Sequence, residues 1–187
     1  TSYQASSIIL SGGVLEAYGL PSETQALVVS LNKNRGIALN ANSGLAATTN
    51  NNGSYIDTLK VWSVITDNTK TFDITINGSN QKGTVTFLGA NNYSGNTNIQ
   101  SGTLVLSGGG TLGNNTSALN INSGTLDIQN GALTVGSILM SGVNPLITST
   151  SGSSSLNVVG SATLANAIFT SGTQTYSAPV TLSTSTS

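Results

Sequence analysis

TVTFLGANNYSGNTNIQSGTLVL, Thr84 to Leu106, is the stretch on which the fold reading turns. A short β-rich run bends at Gly89 and passes through an Asn91-Asn92-Tyr93-Ser94-Gly95 corner. It then re-enters a segment in which apolar and polar residues alternate, the period-two signature of a strand. The nine residues Asn98 to Leu106 recur 22 positions later as Asn120 to Ile128, with six identities in nine positions. Self-similarity at such a period is the mark of a solenoid or other array of stacked units. The substitution inside the repeat sets the facing: Val105 aligns with Asp127, so that position is expected to point outward, and Leu104, Leu106, Leu126 and Ile128 inward. On this reading Leu126→Asp disrupts the core, whereas Asp127→Asn is nearly neutral. A looser echo follows, with Leu133-Thr134-Val135 returning 23 residues on as Leu156-Asn157-Val158, and Ala162-Thr163-Leu164 adds a further strand.

A period near 22 fits one coil of a parallel β-helix, in which each turn of chain lays short strands on the coil below and the coil itself supplies the return path that parallel pairing needs. The expectation is therefore an all-β chain, a parallel β-helix of about eight coils, roughly 40 Å long at ~4.8 Å per rung. Asn and Ser at the corners are expected to hydrogen-bond to their equivalents above and below, which accounts for their abundance without a site.

Working outward, Ile8 to Leu10 and Val14 to Ala17 read as strands around a Gly12-Gly13 turn, with Glu16 between two inward residues. Pro21-Ser22-Glu23-Thr24 is expected to make a single helical turn capped by Ser22. Leu27 to Leu31 and Ile37 to Leu39 flank the Asn32 to Gly36 turn, and Asn50-Asn51-Asn52-Gly53 reads as a tight loop. Leu59 to Ile65 reads as one strand, with Trp62 in the core or as a stacked cap; stacking of Trp62 on a sugar is the competing reading. Phe72, Ile74 and Ile76 alternate with Asp73 and Thr75, and Ser107 to Gly110 is a corner. Residues 1–187 are expected to form a single domain, more charged and less regular over 1–82 and nearly neutral over 83–187. The Ser149 to Ser155 tract is expected to be a loop leaving the wall, with an interdomain linker as the alternative.

The chain has 5 basic and 6 acidic residues, a net charge of −1, no histidine and no cysteine. Ordinary soluble domains carry about a quarter charged residues. So weak a field gives no basis for binding nucleic acid or an anionic membrane, and no apolar run approaches the ~20 residues that span a bilayer. No leader is visible in the polar opening Thr1-Ser2-Tyr3, so an exported chain is expected to have lost one.

Without His or Cys the commonest general base, zinc ligand and thiol nucleophile are missing. Asp57, Asp67 and Asp73 are the only cluster to weigh as a calcium or glycosidase site, and their spacings of 10 and 6 match no calcium loop. They are expected to be solvated, separate residues. No catalytic residue, cofactor or metal ligand is assigned. Tyr3, Tyr18, Tyr55, Tyr93 and Tyr176 are dispersed, and Tyr93, inside the repeat, is expected to pack a corner.

The segment Gly89-Ala-Asn-Asn-Tyr-Ser-Gly-Asn-Thr-Asn-Ile99, with Ser101-Gly-Thr-Leu-Val-Leu106, closely resembles the passenger-associated strand repeat of bacterial autotransporters. Asn34 to Leu39 is similar to the stretch that often precedes such a repeat, and Gln174 to Leu182 to strands of large secreted adhesins. The resemblance implies a right-handed β-helix displayed outside a bacterium in adhesion, aggregation or matrix formation, and it carries no universal catalytic motif. The β-prone run Val180 to Ser187 and the Thr1-Ser2-Tyr3 start show no cap, so open ends would pair with copies of the chain. The resulting expectation is a non-enzymatic, self-associating subunit of a bacterial surface filament or biofilm matrix. A monomeric adhesin and a carbohydrate-binding or carbohydrate-active β-helix are the alternatives, and cell-surface glycans or neighbouring cells are the further partners weighed.

Overall fold

A computed structural model describes residues 4–50, 53–67, 70–129 and 131–184. The expectations for Thr1-Ser2-Tyr3, for Asn51-Asn52 and for the tail Ser185-Thr186-Ser187 lie outside the described residues. The described chain is all-β, and every sheet but one short hairpin is parallel.

Strands β1 (Gln4–Leu10), β4 (Arg35–Leu39) and β9 (Ile65–Thr66) form one sheet in that order. The longest sheet has eight strands: β2 (Val14–Ala17), β5 (Ser43–Ala47), β10 (Ile74–Ile76), β12 (Thr97–Ile99), β14 (Ala118–Ile121), β17 (Ser137–Met140), β20 (Ala162–Leu164) and β22 (Val180–Leu182). A six-stranded sheet runs β3 (Val28–Leu31), β8 (Thr58–Val61), β11 (Thr84–Phe87), β13 (Thr103–Leu106), β15 (Thr125–Ile128) and β18 (Leu146–Thr148). β16 (Gly131–Val135), β19 (Ser154–Val158) and β21 (Gln174–Tyr176) form a second three-stranded sheet, and β6 (Thr49–Asn50) with β7 (Tyr55–Ile56) is the antiparallel hairpin. Through β11 the chain visits the first three sheets in one repeating order, leaving it only for the hairpin, and within each sheet it adds strands in sequence order.

The register follows the repeat residue for residue. Asn98 sits opposite Asn120 and Ile99 opposite Ile121; Leu104 faces Leu126, Val105 faces Asp127 and Leu106 faces Ile128. The looser echo holds too, with Leu133 beside Leu156 and Val135 beside Val158. Parallel strands in register place like side chains over like, so a continuous apolar column forms: Leu59, Val85, Leu104, Leu126 and Ile147 on the six-stranded sheet, each at most 1% exposed. Leu45, Ile76, Ile99, Ile121 and Met140 make the equivalent column on the eight-stranded sheet, and both columns belong to one core cluster. Burial of each such side chain contributes ~1.5–3 kcal/mol.

The period is not constant. Val14 pairs with Gly44 and Ser43 with Ile74, whereas Ala162 pairs with Val180. The early rungs are longer because the 20–26 segment and the β6–β7 hairpin are excursions from the wall. Gly110, in the Ser107 to Gly110 corner, marks the opposite constraint: a Cβ there would run into the Phe87 carbonyl of the neighbouring rung.

Four expectations are corrected. Leu59 to Ile65 is two strands in different sheets, β8 and β9, because the chain turns a corner at Trp62 to Val64. Trp62 is 47% exposed, outside the core. Pro21 to Thr24 forms a turn closed by Glu23 N–H to Leu20 O (3.0 Å) and no helix. The serine tract is a loop only as far as Ser153; Ser154 and Ser155 begin β19, with Ser154 buried.

Asp127 points away from the core, as its alignment with Val105 requires, but it is not solvated. It is 5% exposed, and its carboxylate accepts from the Thr150 N–H (2.9 Å), the Thr150 hydroxyl (2.5 Å) and the Gln129 amide (3.0 Å). Asp127→Asn replaces one acceptor with a donor and is therefore expected to cost about 1–2 kcal/mol, where the alignment alone predicts near neutrality. Leu126→Asp, which puts a carboxylate into the apolar column, is expected to cost at least ~4 kcal/mol or prevent folding. Urea denaturation of the two variants beside the parent checks both, and equal midpoints for the two variants would overturn the facing.

Candidate functional site

The acidic residues weighed as a catalytic cluster lie at separate corners of the wall, each holding main chain. Asp57, the single residue between β7 and β8, is fully buried. Its Oδ2 accepts from Gly19 N–H (2.9 Å) and the Thr48 hydroxyl (2.8 Å), and its Oδ1 from Leu27 N–H (2.8 Å). Asn50, beside it, donates from Nδ2 to Gln25 O (3.0 Å). One carboxylate thus ties down both ends of the 19–27 excursion, and Gly19 is glycine because a Cβ there would lie 2.5 Å from Asp57 Oδ2.

Asp67, 3% exposed, accepts from Ser94 N–H (2.6 Å). Half-buried Asp73 stands just before β10; it donates its N–H to Asn42 Oδ1 (2.9 Å) and accepts Asn96 N–H at Oδ1 (2.7 Å), while Asn96 in turn accepts Ala118 N–H (3.0 Å). The expectation of solvated, separate aspartates is therefore corrected: they are separate in role, but Asp57 and Asp67 are buried, because corner N–H groups with no strand partner need an acceptor. Among the described residues no three His, Cys, Asp or Glu side chains gather in a way that could hold a metal ion.

Two asparagines missed as structural groups do the same work with both ends of the amide. Asn77, 1% exposed, accepts Ala47 N–H (2.8 Å) and donates to Gly83 O (2.9 Å). Asn91 accepts Ile65 N–H (2.9 Å) and donates to Thr111 O (2.7 Å), bridging the rung before and the rung after. The signal in the sequence for Asn91 was the Asn91 to Gly95 corner, which reads only as a bend, and Asn77 stands before Gly78, a pair of turn residues. On the outer face Asn120 Nδ2 donates to Asn98 Oδ1 (2.8 Å) in mid-strand, and just past the strand ends Asn122 Nδ2 donates to Gln100 Oε1 (3.0 Å), so polar side chains stack on the strands as well as beyond them.

Tyr93 packs into the core with no exposure, its hydroxyl 2.7 Å from Thr97 Oγ1. Burial pushes its pKa from 10.0 up to about 12, against smaller opposing hydrogen bonds to Thr97 and the Gly113 backbone. Tyr18 is exposed, Tyr55 and Tyr176 are half-buried, and Tyr3 lies outside the described residues.

Among the described residues two accessible features stand beside scattered exposed apolar side chains such as Val159 and Phe169. One is the set of outermost strands: Val14 of β2 is 58% exposed, Val28 of β3 54%, and Leu182 of β22 80%. The other is a cleft of about 370 Å³ lined by Trp62, Ser30, Asn32 and Lys33. Compared with protein-family models, curated proteins and solved structures, the chain matches none.

Two outcomes are expected. Asp57→Ala leaves the Gly19 and Leu27 N–H groups without their acceptor and should cost about 2–4 kcal/mol, with faster hydrogen exchange at those two amides; unchanged exchange there would refute the clamp. Because folded Tyr93 keeps a proton that the unfolded chain releases near pH 10.0, stability contributed below that pH is lost as pH rises toward about 12. The loss is about 2–3 kcal/mol. Alkaline denaturation of the parent should therefore be steeper than that of Tyr93→Phe over this window.

Proposed function

We propose that this chain is a right-handed parallel β-helix of about eight coils and serves as a non-catalytic structural subunit that stacks on copies of itself. Three features support the helix: the repeating visit to successive sheets, the strictly parallel order of the longest sheet, and the single core cluster fed from all sides. Right-handedness rests on the strand-repeat resemblance of residues 84–106 and on the near-universal hand of parallel crossovers.

The observation that carries self-association is the pair of edges of the eight-stranded sheet. β2 and β22 bound that sheet on opposite sides, have the same strand direction and have no further partner among the described residues. Leu15 faces inward at one edge and Leu182 ends the same column at the other, so laying one copy's β2 on another's β22 in the sheet's own register continues that column, with Val14 opposite Thr181 and Glu16 opposite Ser183. An exposed parallel edge that carries one carboxylate, Glu16, on the β2 side and none on the β22 side is a template for such addition, and a head-to-tail contact of this kind propagates as a filament. From Thr84 onward Asp127 is the only charged residue, so no like-charge repulsion opposes it at the β22 end. The strand-repeat resemblance supports a site of action outside a bacterium, as a surface filament or matrix component.

Sedimentation velocity with negative-stain microscopy over a range of concentration and salt tests the association; monomers throughout would discard it in favour of a monomeric adhesin. The chain has no cysteine, so mixing Val14→Cys and Thr181→Cys variants under mild oxidation should give a disulfide between the two variant chains. Assemblies without that cross-link would mean another interface.

A further inference from the structure

Trp62 is placed where the fold has no use for a large aromatic. Val61, the last residue of β8, fills the core, and Trp62 follows at the corner, its N–H donating to Leu31 O (3.2 Å) so that it lies beside the Asn32 turn. The indole is absent from the core cluster and 47% exposed, although burying it would have released a large apolar area from water. Around it the cleft has no second apolar wall: the other lining residues are Ser30, on the outward face of β3, and Asn32 and Lys33 of the turn. Asn32 commits its Oδ1 to Asn34 N–H (2.9 Å), which fixes the amide over the turn and leaves Nδ2 as a donor.

We propose that this cleft is a carbohydrate-binding site in which a pyranose ring of a glycan stacks on the exposed indole face of Trp62. The chemistry of the lining selects the ligand. A pyranose has an apolar face of C–H groups and a rim of hydroxyls, and the cleft offers one flat apolar surface bordered by a hydroxyl, an amide and an ammonium. A protein partner would call for a wider apolar patch than a single indole. The volume of about 370 Å³ sits at the small end of ligand sites, sized for one or two sugar units. Stacking on the aromatic supplies affinity that tolerates the identity of the sugar, while Ser30, Asn32 and Lys33 select the hydroxyl pattern. Ser30 belongs to β3, the outermost strand of the six-stranded sheet, so the site borders the β2 end of the stack.

The chain contains one tryptophan, so its fluorescence reports this cleft alone. Titration with cellohexaose, chitohexaose and hexagalacturonate is expected to give a saturable emission change with at least one of them, with a dissociation constant on the order of 1 mM. By calorimetry, Trp62→Ala should weaken that binding ~10-fold or more with melting unchanged, and Lys33→Ala and Asn32→Ala should each weaken it several-fold. No saturable change with any of the three oligosaccharides overturns the proposal, as does calorimetric binding that survives all three substitutions. A preference for hexagalacturonate that disappears in Lys33→Ala would support the site and assign the ammonium to a carboxylate.

Discussion

The constraint on which the rest depends is in-register parallel pairing between successive rungs. Parallel strands side by side present their inward residues in columns, and a one-residue slip would turn Leu104 and Leu126 outward and bring Val105 and Asp127 into the core. Register is thus locked by burial, and each inward Leu or Ile stabilises both its own rung and its neighbours. The same constraint explains where length variation is tolerated. The 20–26 segment and the β6–β7 hairpin lengthen the early rungs, yet the strands on either side keep their partners because the extra residues leave the wall altogether.

Corners are where this backbone ladder fails, and there side chains replace it. Asn77 and Asn91 each accept a main-chain N–H from one rung and donate to a carbonyl of another, and Asp57 gathers two N–H groups and a hydroxyl. The unusual composition follows from this economy. Asparagine is abundant because one amide satisfies both kinds of corner group, and several of the few aspartates are spent as internal acceptors. A carboxylate whose lone pairs are filled by main-chain donors holds the fold together, which supports a structural reading of Asp57 and Asp67 over a chemical one.

Two parts of the surface stand apart from the structural network. The outermost strands leave apolar residues and unpaired main chain in the plane of the sheets, and the lateral wall carries exposed apolar side chains such as Leu139 and Val159 in addition to the Trp62 cleft. The cleft and the β2 edge lie at the same end of the stack, because Ser30 comes from the outermost strand β3.

Residues 98–106 and 120–128 determined a good deal by themselves. Their spacing specified which strands pair, their alternation specified which side chains enter the core, and the Leu133 and Leu156 echo extended the pattern, because parallel stacking writes its register directly into a repeat. The tertiary structure alone decided what lies at the corners. Leu59 to Ile65 reads as one strand, since periodicity does not reveal a bend at Trp62. Asp57 and Asp67 read as solvated and Asp127 only as outward-facing, since a lone acidic residue carries no mark of the main-chain donors that a rung tens of residues away will bring to it. Local pattern sets the columns; burial and hydrogen bonding between distant segments set the environment of everything between them, and that is where the candidate sites are.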